Sequence, residues 1–471
     1  MTKSVAPLAA LAEAVRSGSA SAVDLTAEAL RRIEQHNPTL NAVVALRADE
    51  ALAEAKQIDT AARAGQQLGP MAGLPLLVKD LEDVVGMRTT MASVLRADAP
   101  PATVDSLVPA RLRVAGAIVI GKSNLPEFAI EAHADNLLFG ATRNPWNADM
   151  SPGGSSGGSA AALAAGLVPI ATATDGGGSI RIPSALCGLV GIKPTHNLIG
   201  RDVAPDWIDL STYGPMATSV ADLRLLLELE GGQVLGDPDS TPYSVQPWPT
   251  RPRRLLAANR TSPMGPLPAE VKTLFDRAVA NAADLLGLEV EWLDAGDFFT
   301  TGDPDQDWFV LCAVEHVASL GREWVVAGLD CMHPASQEFF EFGLRTTLDE
   351  YVAARRRRFD YVGRLDTLLG DGALLLTPTV AVAGLLPDGR VRATDPIALT
   401  AAESMSTAVQ NITGHPAITV PAGQHANGVP FGLQFTGPRW SDLLLLDVAA
   451  TWEQAHPWPR VAPGYTEFSL A

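Results

Sequence analysis

The segment from Gly153 to Thr195 constrains the fold more than any other part of the chain. It holds two clusters rich in glycine and serine, GGSSGGS at 153–159 and DGGGS at 175–179, joined by an apolar, alanine-rich connection. Glycines at this density allow sharp turns and close approach of the backbone to another group. Because Ser179 follows three consecutive glycines, it can lie beside several free backbone N–H groups, as an oxyanion hole requires.

The residues between and after the two clusters indicate the local structure around Ser179. They predict a helix at about 157–165, a strand from Val168 to Ala173 and a second helix that starts near Ile180. A turn between a strand and a helix start directs backbone N–H groups towards a developing negative charge. A phosphate-binding turn is the alternative. Neither a P-loop Lys-Ser/Thr pair nor an acidic ribose partner occurs in the βαβ context that such a turn requires, so nucleotide binding is not expected.

A candidate base lies upstream, in the run GLPLLVKD at 73–80. Its apolar residues predict a buried strand that ends at Lys79, one of only six lysines in the chain. Burial would lower the pKa of the Lys79 ammonium group towards that of a usable base. The local pattern is also compatible with a lysine at a strand end whose amine reaches solvent.

The charge balance and the cysteine content exclude several classes of function. A net charge of −18 over 471 residues argues against a nucleic-acid or anionic-membrane surface. The one basic run, Arg355–Arg358, lies in a helical pattern and is interpreted as a solvated helix face. Three scattered cysteines are too few for a disulfide framework or a zinc site, so we expect reduced thiols. They are Cys187, Cys312 and Cys331.

The N-terminal segment predicts an amphipathic helix rather than a signal peptide, because Glu13 and Arg16 interrupt its alanine-rich run at helical spacing. The sequence contains no apolar run that is long enough to span a bilayer. We therefore expect a cytoplasmic protein that binds neither membranes nor nucleic acids.

The segment from Gly153 to Thr195 resembles the signature sequence of the amidase signature family of serine hydrolases, over more than forty nearly continuous residues. The strand that ends at Lys79 is similar to the G-x-P-x-x-x-K-D segment of that family, and residues 122–128 are similar to its K-x-N-x-x-E-F/M segment. Segments at 373–379, 411–423 and 430–435 are also similar to the family.

The resemblance implies an α/β fold in which helices cover both faces of a mixed, twisted β-sheet. A single domain over 1–471 is expected, because no segment has the composition of a linker. Its parts would be N-terminal helices at about 5–65, a signature core at about 69–230 and a C-terminal remainder at about 250–471 that completes the sheet and the substrate pocket.

The same resemblance implies a Ser-cisSer-Lys triad. Ser179 corresponds to the nucleophile, Ser155 to the bridging serine with a cis peptide bond, and Lys79 to the base. A neutral lysine would take a proton through Ser155 while Ser179 attacks a carbonyl carbon, and water would then cleave the acyl-enzyme. Ser156 competes with Ser155 for the bridging role, and the 24-residue separation from Ser179 favours Ser155.

Further residues of the site are predicted around this triad. Asp175 and Arg181 would support the glycine turn, while Trp207 and Tyr213 are candidates for substrate binding. Lys122 ends a strand whose counterpart in the family is not catalytic, so a structural role is expected. Neither a metal nor an organic cofactor is implied. The backbone N–H groups expected to hold the oxyanion are those of Gly176, Gly177, Gly178 and Ser179.

Two groups of residues have a structural and a functional interpretation. Three histidines, none of them in a G-x-S-x-G context, are expected in loops or the core: His133, His196 and His415. An aromatic group between residues 300 and 365 favours helical core packing, with an apolar substrate pocket as the alternative. Its members are Trp308, Phe309, Trp324, Phe339, Phe340, Phe342 and Tyr351.

The predicted function is hydrolysis of a linear or cyclic carboxamide of small size by water, releasing a carboxylate and ammonia or an amine. Alternatives are the amidase component of a tRNA-dependent glutamyl/aspartyl amidotransferase complex and a hydrolase of carbamates or urea derivatives. The sequence after the signature, THNLIGRDVAPDWIDLSTYGP, lacks the YGRVSR and SSLDQ-like text expected of that component. A homodimer is the default assembly.

Overall fold

The strands of the protein form three hydrogen-bonded sheets, and helices flank them. The computed structural model describes residues 7–240, 251–262, 265–370, 372–391 and 405–469. The two ends of the predicted domain, residues 1 and 471, lie outside the described residues. Within them the fold class predicted from the sequence, a mixed α/β structure, is confirmed. Among the described helices, none has the length and apolar composition needed to cross a bilayer.

The helices occur along the whole described chain. They are α1 Pro7–Arg16, α2 Ala22–Leu40, α3 Ala48–Arg63, α4 Leu107–Val114, α5 Gly157–Ala164, α6 Arg181–Cys187, α7 Val220–Glu230, α8 Ala269–Leu286, α9 Pro304–Leu320, α10 Arg322–Gly328, α11 Pro334–Arg345, α12 Leu348–Leu369, α13 Ala408–Thr413 and α14 Asp442–Ala455.

The strands are short and lie between these helices. They are β1 Val43–Leu46, β2 Pro75–Lys79, β3 Ile118–Ser123, β4 Ile170–Ala171, β5 Thr174–Asp175, β6 Val190–Lys193, β7 Thr212–Tyr213, β8 Met216–Ala217, β9 Arg254–Ala257, β10 Val290–Trp292, β11 Ala373–Pro378, β12 Ala417–Gln424 and β13 Pro430–Thr436.

A four-stranded sheet with the order β1-β3-β2-β4 carries the candidate base. Strand β2 pairs in parallel with both β3 and β4, and all five of its residues are buried. Burial on both faces explains why this strand is an apolar run rather than an alternating one. Its last residue, Lys79, lies opposite Ser123 in the register and therefore in the interior, not at a solvated end.

A seven-stranded mixed sheet with the order β10-β9-β11-β13-β12-β6-β8 forms the larger part of the core. Strands β10, β9 and β11 are parallel to one another, and the remaining pairs are antiparallel. Helices α6, α8 and α14 pack against this sheet. One hydrophobic cluster includes Leu76 and Val78 of β2 together with Leu433 and Phe435 of β13, so the two sheets share a continuous core.

The glycine-rich segment lies between these sheets. Helix α5 is buried along its whole length, and a Cβ atom at Gly158 would collide with the backbone of Asn124. Strand β5 pairs with β7, and the turn from Asp175 to Ser179 connects β5 to α6. The strand, turn and helix start predicted around Ser179 are therefore present.

The interpretation of the basic run on α12 as a solvated face holds for Arg356, which is exposed, but is wrong for the other three arginines. Arg355 and Arg358 both contact Asp209, at 2.5 and 2.9 Å, and Arg357 contacts Asp307 at 2.6 Å. The carboxylates come from a loop and a helix that are distant in sequence. Three of the four arginines thus form ion pairs that tie α12 to its neighbours.

Candidate active site

The Lys79 amine lies in a buried cluster of hydroxyl groups. Its Nζ donates hydrogen bonds to Ser155 Oγ at 2.8 Å, Ser156 Oγ at 2.9 Å and Thr174 Oγ1 at 2.9 Å. Lys79 itself is fully buried, so the alternative in which its amine reaches solvent does not hold. In the described residues no carboxylate lies within ion-pair distance of Nζ. The amine can therefore exchange protons with neutral hydroxyl groups.

Burial and nearby charges act on the protonation of Lys79 in opposite directions. Burial lowers the pKa of Lys79 to about 7, while the charges of Glu82 and Asp175 favour the ammonium form. A substantial fraction of neutral amine is thus present near neutral pH, which is what a general base requires. This agrees with the expectation that burial would bring the pKa into a usable range.

Two threonines before the turn complete the surroundings of Lys79, Thr172 between β4 and β5 and Thr174 on β5, and the sequence analysis missed them. Thr172 Oγ1 accepts the backbone N–H of Lys79 at 2.9 Å, and Thr174 Oγ1 contacts its amine. Because alternate residues of an extended chain face the same side, both hydroxyls point towards β2. The pattern Thr-x-Thr before the glycine turn is the signal that could have identified them.

Ser179 opens onto a cavity that also reaches the lysine cluster. The cavity has a volume of about 270 Å³, and its wall includes Ser155, Thr174, Gly176 and Ser179. Ser179 is 9 % exposed, and its hydroxyl makes no hydrogen bond within the described chain. The Gly154–Ser155 peptide bond is cis. The structure thus brings Lys79 and Ser155 into contact and lines one cavity with both serines, but no hydrogen bond joins Ser155 to Ser179 among the described residues.

Asp175 and Arg181 form hydrogen bonds around the glycine turn. Asp175 Oδ1 accepts the N–H of Gly178 at 2.7 Å, and its Oδ2 accepts the N–H of Ile180 at 3.2 Å. Arg181 donates to both carboxylate oxygens, at 2.9 and 3.0 Å. Burial raises the pKa of Asp175, but the Arg181 charge and hydrogen bonds outweigh it and hold that pKa at about 2. The carboxylate stays ionised and fixes the backbone before and after Ser179.

The predicted set of oxyanion donors needs one correction. The N–H of Gly178 is directed to Asp175 and is not free. Within the described residues, no hydrogen bond uses the N–H of Gly176, Gly177 or Ser179. Because the Gly178 amide anchors the turn, the neighbouring amides can face a ligand. The N–H groups of Gly176, Gly177 and Ser179 therefore remain the candidate oxyanion donors.

Two tryptophans pack against the glycine turn. Trp207, a predicted substrate-binding residue, lies where a Cβ atom on Gly176 would be, and it lines the cavity. Trp308 Nε1 donates to the carbonyl of Gly176 at 2.6 Å. Tyr213, the other predicted binding residue, also lines the cavity, from strand β7. Close contact with indole rings explains why these turn positions are glycine.

Six of the seven aromatic residues at 300–365 belong to one hydrophobic cluster, as the favoured interpretation had it, whereas Trp324 is exposed. All seven residues are described and none lines the cavity; Phe339 and Phe340 are fully buried in one cluster. The apolar wall is instead made by Met91, Phe128 and Trp207.

His316 also lines the cavity, accepting from Trp207 Nε1 at 3.3 Å, and it was not singled out in the sequence. The three histidines that were considered do not line the cavity.

Lys122 is buried away from the serines. Its Nζ lies 3.4 Å from Asp80 Oδ1 and 3.1 Å from Thr89 Oγ1, and it also contacts the carbonyl of Glu82. It ties β3 to the loop that follows β2, which agrees with the structural role expected for it. The described residues contain no cluster of three or more side chains suited to a metal ion.

The chain is similar to known amidases over most of its length. The model of the family described as Amidase matches residues 24–293 and 336–446. The chain is 35 % identical to the putative amidase AmiB2 of Mycobacterium tuberculosis, over 97 % of both proteins. It is 34 % identical to a glutamyl-tRNA(Gln) amidotransferase subunit from a Synechococcus species, over 95 % of this chain and 96 % of that one.

A solved structure extends the likeness to the fold. The crystal structure of a bacterial aryl acylamidase of the amidase signature family superposes with a TM-score of 0.84 at 28 % identity, over 96 % of this chain and 98 % of that one. The protein belongs to the amidase signature family of hydrolases that act on carbon–nitrogen bonds. The resemblance detected in the sequence is thereby confirmed.

Proposed function

We propose that the protein hydrolyses a small carboxamide, releasing a carboxylate and ammonia or an amine, with Ser179 as nucleophile, Ser155 as proton bridge and Lys79 as base. The observation that carries this proposal is the 2.8 Å hydrogen bond from Lys79 Nζ to Ser155 Oγ. It joins a buried amine of lowered pKa to a hydroxyl on the same cavity wall as Ser179.

The proton moves along this line in both directions. The neutral Lys79 amine accepts the proton of Ser155 Oγ, which accepts that of Ser179 as its oxygen bonds to the amide carbon. The reverse transfer protonates the leaving nitrogen as the carbon–nitrogen bond breaks, leaving an ester on Ser179. Water then repeats the addition, and the carboxylate leaves.

The developing oxyanion is held by backbone donors. The N–H groups of Gly176, Gly177 and Ser179 are the candidates, and the hydrogen bond from Gly178 to Asp175 keeps the turn rigid. Preorganised donors of this kind contribute about 3 kcal/mol each to lowering the barrier.

The cavity favours a small substrate with an apolar acyl part. Its volume of about 270 Å³ is slightly below the range of about 300–1,000 Å³ that is usual for small-molecule sites. Met91, Phe128 and Trp207 provide apolar and aromatic surface next to the serines. A linear or cyclic amide with an aliphatic or aromatic acyl group fits these walls, and carbamates and urea derivatives are the neighbouring classes.

A role as the amidase component of an amidotransferase is the second candidate, because a relative with an amidotransferase name is 34 % identical over nearly the full chain. That function would require partner proteins and glutamine as the amide donor. The sequence after the signature lacks the text expected of that component, which supports a hydrolase that acts without partner proteins.

The test is turnover of purified protein on a panel of aliphatic, aromatic, cyclic and ureido amides and glutamine, followed by release of ammonia or amine. Ser179→Ala should lower kcat by about 10⁴-fold or more while leaving the fold intact. Ser155→Ala should cost far more than Ser156→Ala, although both hydroxyls contact Lys79.

Three outcomes would contradict this proposal. Residual activity of Ser179→Ala near that of the wild type would mean that the nucleophile is another residue. Equal losses of activity in Ser155→Ala and Ser156→Ala would mean that Ser155 is not the specific proton bridge. Turnover of glutamine only in the presence of partner proteins would favour the amidotransferase.

A further inference from the structure

Glu82 lies beneath the candidate base and is not explained by the proposed relay. It is the third residue after Lys79, and its backbone N–H donates to the Lys79 carbonyl at 3.0 Å. Its Oε2 accepts a hydrogen bond from Thr172 Oγ1, which in turn accepts the Lys79 N–H at 2.9 Å. Hydrogen bonds therefore hold the carboxyl group of Glu82 at the end of strand β2, which carries the Lys79 amine.

The second oxygen of this carboxyl group has no partner. Glu82 is 2 % exposed, and its Oε1 makes no hydrogen bond within the described residues. Glu82 also contributes to the wall of the cavity. A buried carboxylate with half of its hydrogen-bonding capacity unused is costly unless a nearby positive charge compensates for it. Lys79 in its ammonium form and Lys122 both supply positive charge that favours the ionised carboxyl group of Glu82.

We infer that Glu82 is a positioning residue of the reaction, and that its buried carboxyl group controls the protonation of the Lys79 amine. The inference rests on the proposed function, in which the neutral amine is the base. An ionised Glu82 favours the ammonium form of Lys79, and its removal favours the neutral amine. Glu82 thus raises the pH below which the enzyme loses its base.

The charges around the two groups support this coupling. Burial raises the pKa of Glu82 to about 7 and lowers that of Lys79 to about 7, and each charge favours the ionised form of the other. Asp175 faces Lys79 from the glycine turn and acts in the same direction as Glu82. The other groups facing Glu82 are Lys122 on β3, Asp202 in the loop before β7, Tyr213 on β7 and Glu230 on α7.

Removal of the Glu82 charge should shift the pH profile of kcat/KM in one defined direction. Glu82→Gln keeps the size of the side chain and an acceptor for Thr172, and it should move the acid limb of kcat/KM to lower pH by about one unit. Glu82→Asp keeps the charge and should retain a limb close to that of the wild type. Glu50→Gln removes the same charge from an exposed position on α3 and should leave the limb unchanged.

A second measurement does not depend on turnover. With six lysines in the chain, ¹³C labelling at lysine Cε gives few resonances, and Lys79→Met identifies that of Lys79. In protein carrying Ser179→Ala, the titration midpoint of this resonance should fall by about one pH unit when Glu82→Gln is added. This readout applies even if the proposed substrate class is wrong.

Three results would overturn the inference. The first is an unchanged Lys79 midpoint in folded Glu82→Gln protein. The second is a uniform loss of kcat/KM at all pH values, which indicates a purely structural role. The third is an effect on KM alone, which indicates that Glu82 contacts the substrate. If Glu82→Gln does not fold, Glu82→Asp provides the test. This variant keeps the negative charge, so a shift of about one pH unit in the acidic limb of its kcat/KM profile would also contradict the inference.

Discussion

Arg181 holds together the turn that presents Ser179, and its removal should be among the most destabilising single changes. Its guanidinium group is fully buried and donates to Asp175 through two nitrogens. It also donates to Gln410 at 3.0 Å, Gln434 at 2.8 Å and Asn411 at 2.6 Å. Arg181→Met keeps much of the apolar volume and removes every one of these donors.

The magnitude follows from the charge that is left behind. Breaking a buried ion pair by removing one partner costs about 3–5 kcal/mol. The lowered pKa of Asp175, about 2, corresponds on its own to about 2–3 kcal/mol of stability at neutral pH. Because Asp175 can take up a proton and keeps its hydrogen bonds from Gly178 and Ile180, we expect a loss near the lower end, about 3 kcal/mol.

The pH dependence provides the diagnostic sign. In the wild type the pKa of Asp175 is lower in the folded state than in the unfolded state. Asp175 therefore stabilises the fold at pH values above its unfolded-state pKa. This stabilisation is lost as the pH falls through the unfolded-state pKa and then the folded-state pKa. Without Arg181, burial raises the pKa of Asp175 above the unfolded value. The penalty is then largest at neutral pH and is relieved as the pH falls, so the difference between variant and wild type should shrink towards pH 4–5.

Urea unfolding followed by the fluorescence of the nine tryptophans measures this difference at several pH values. Arg88→Met is the control, because Arg88 pairs with the fully exposed Asp98 and its loss should change stability little. A loss below about 1 kcal/mol for Arg181→Met at pH 7, or a difference independent of pH, would refute the assignment of a buried, charge-dependent support.

Two further outcomes are expected. With a neutral amide substrate, kcat/KM should fall about tenfold per pH unit below about pH 7, because protonation of Lys79 removes the base; a profile that is flat from pH 5 to 8 would contradict this. Gly177→Ala should lower kcat/KM by about 100-fold, because its Cβ atom would lie 2.5 Å from the Trp308 ring. Gly363→Ala, on α12 with open space around it, is the matched control, and equal activity of the two variants would exclude a steric role.

The features that depend on neighbouring residues were predictable. The strand that ends at Lys79 and the turn that ends at Ser179 follow from apolar runs and glycines within a few positions. Helix α8 ends at Leu286, and the next residue, Gly287, has the left-handed conformation that suits glycine. In each case a single strand, turn or helix end contains the residues that determine its backbone conformation or its burial.

Contacts between distant segments were not predictable. Arg181 meets Gln410 and Gln434, which lie 229 and 253 residues away in sequence. The interpretation of the α12 arginines as a solvated face was wrong for three of the four for the same reason, since Asp209 and Asp307 come from other elements. Charge patterning within a helix does not specify which carboxylate another element brings close.

The sequence by itself determined the chemical groups of the site and the local turns that carry them, because both are encoded in short segments. Only the tertiary structure decided that Lys79 contacts Ser155, Ser156 and Thr174 together, and that the Gly178 amide is occupied by Asp175. The physical reason is that burial and hydrogen-bond partners depend on how separate elements pack, and packing is a property of the whole chain.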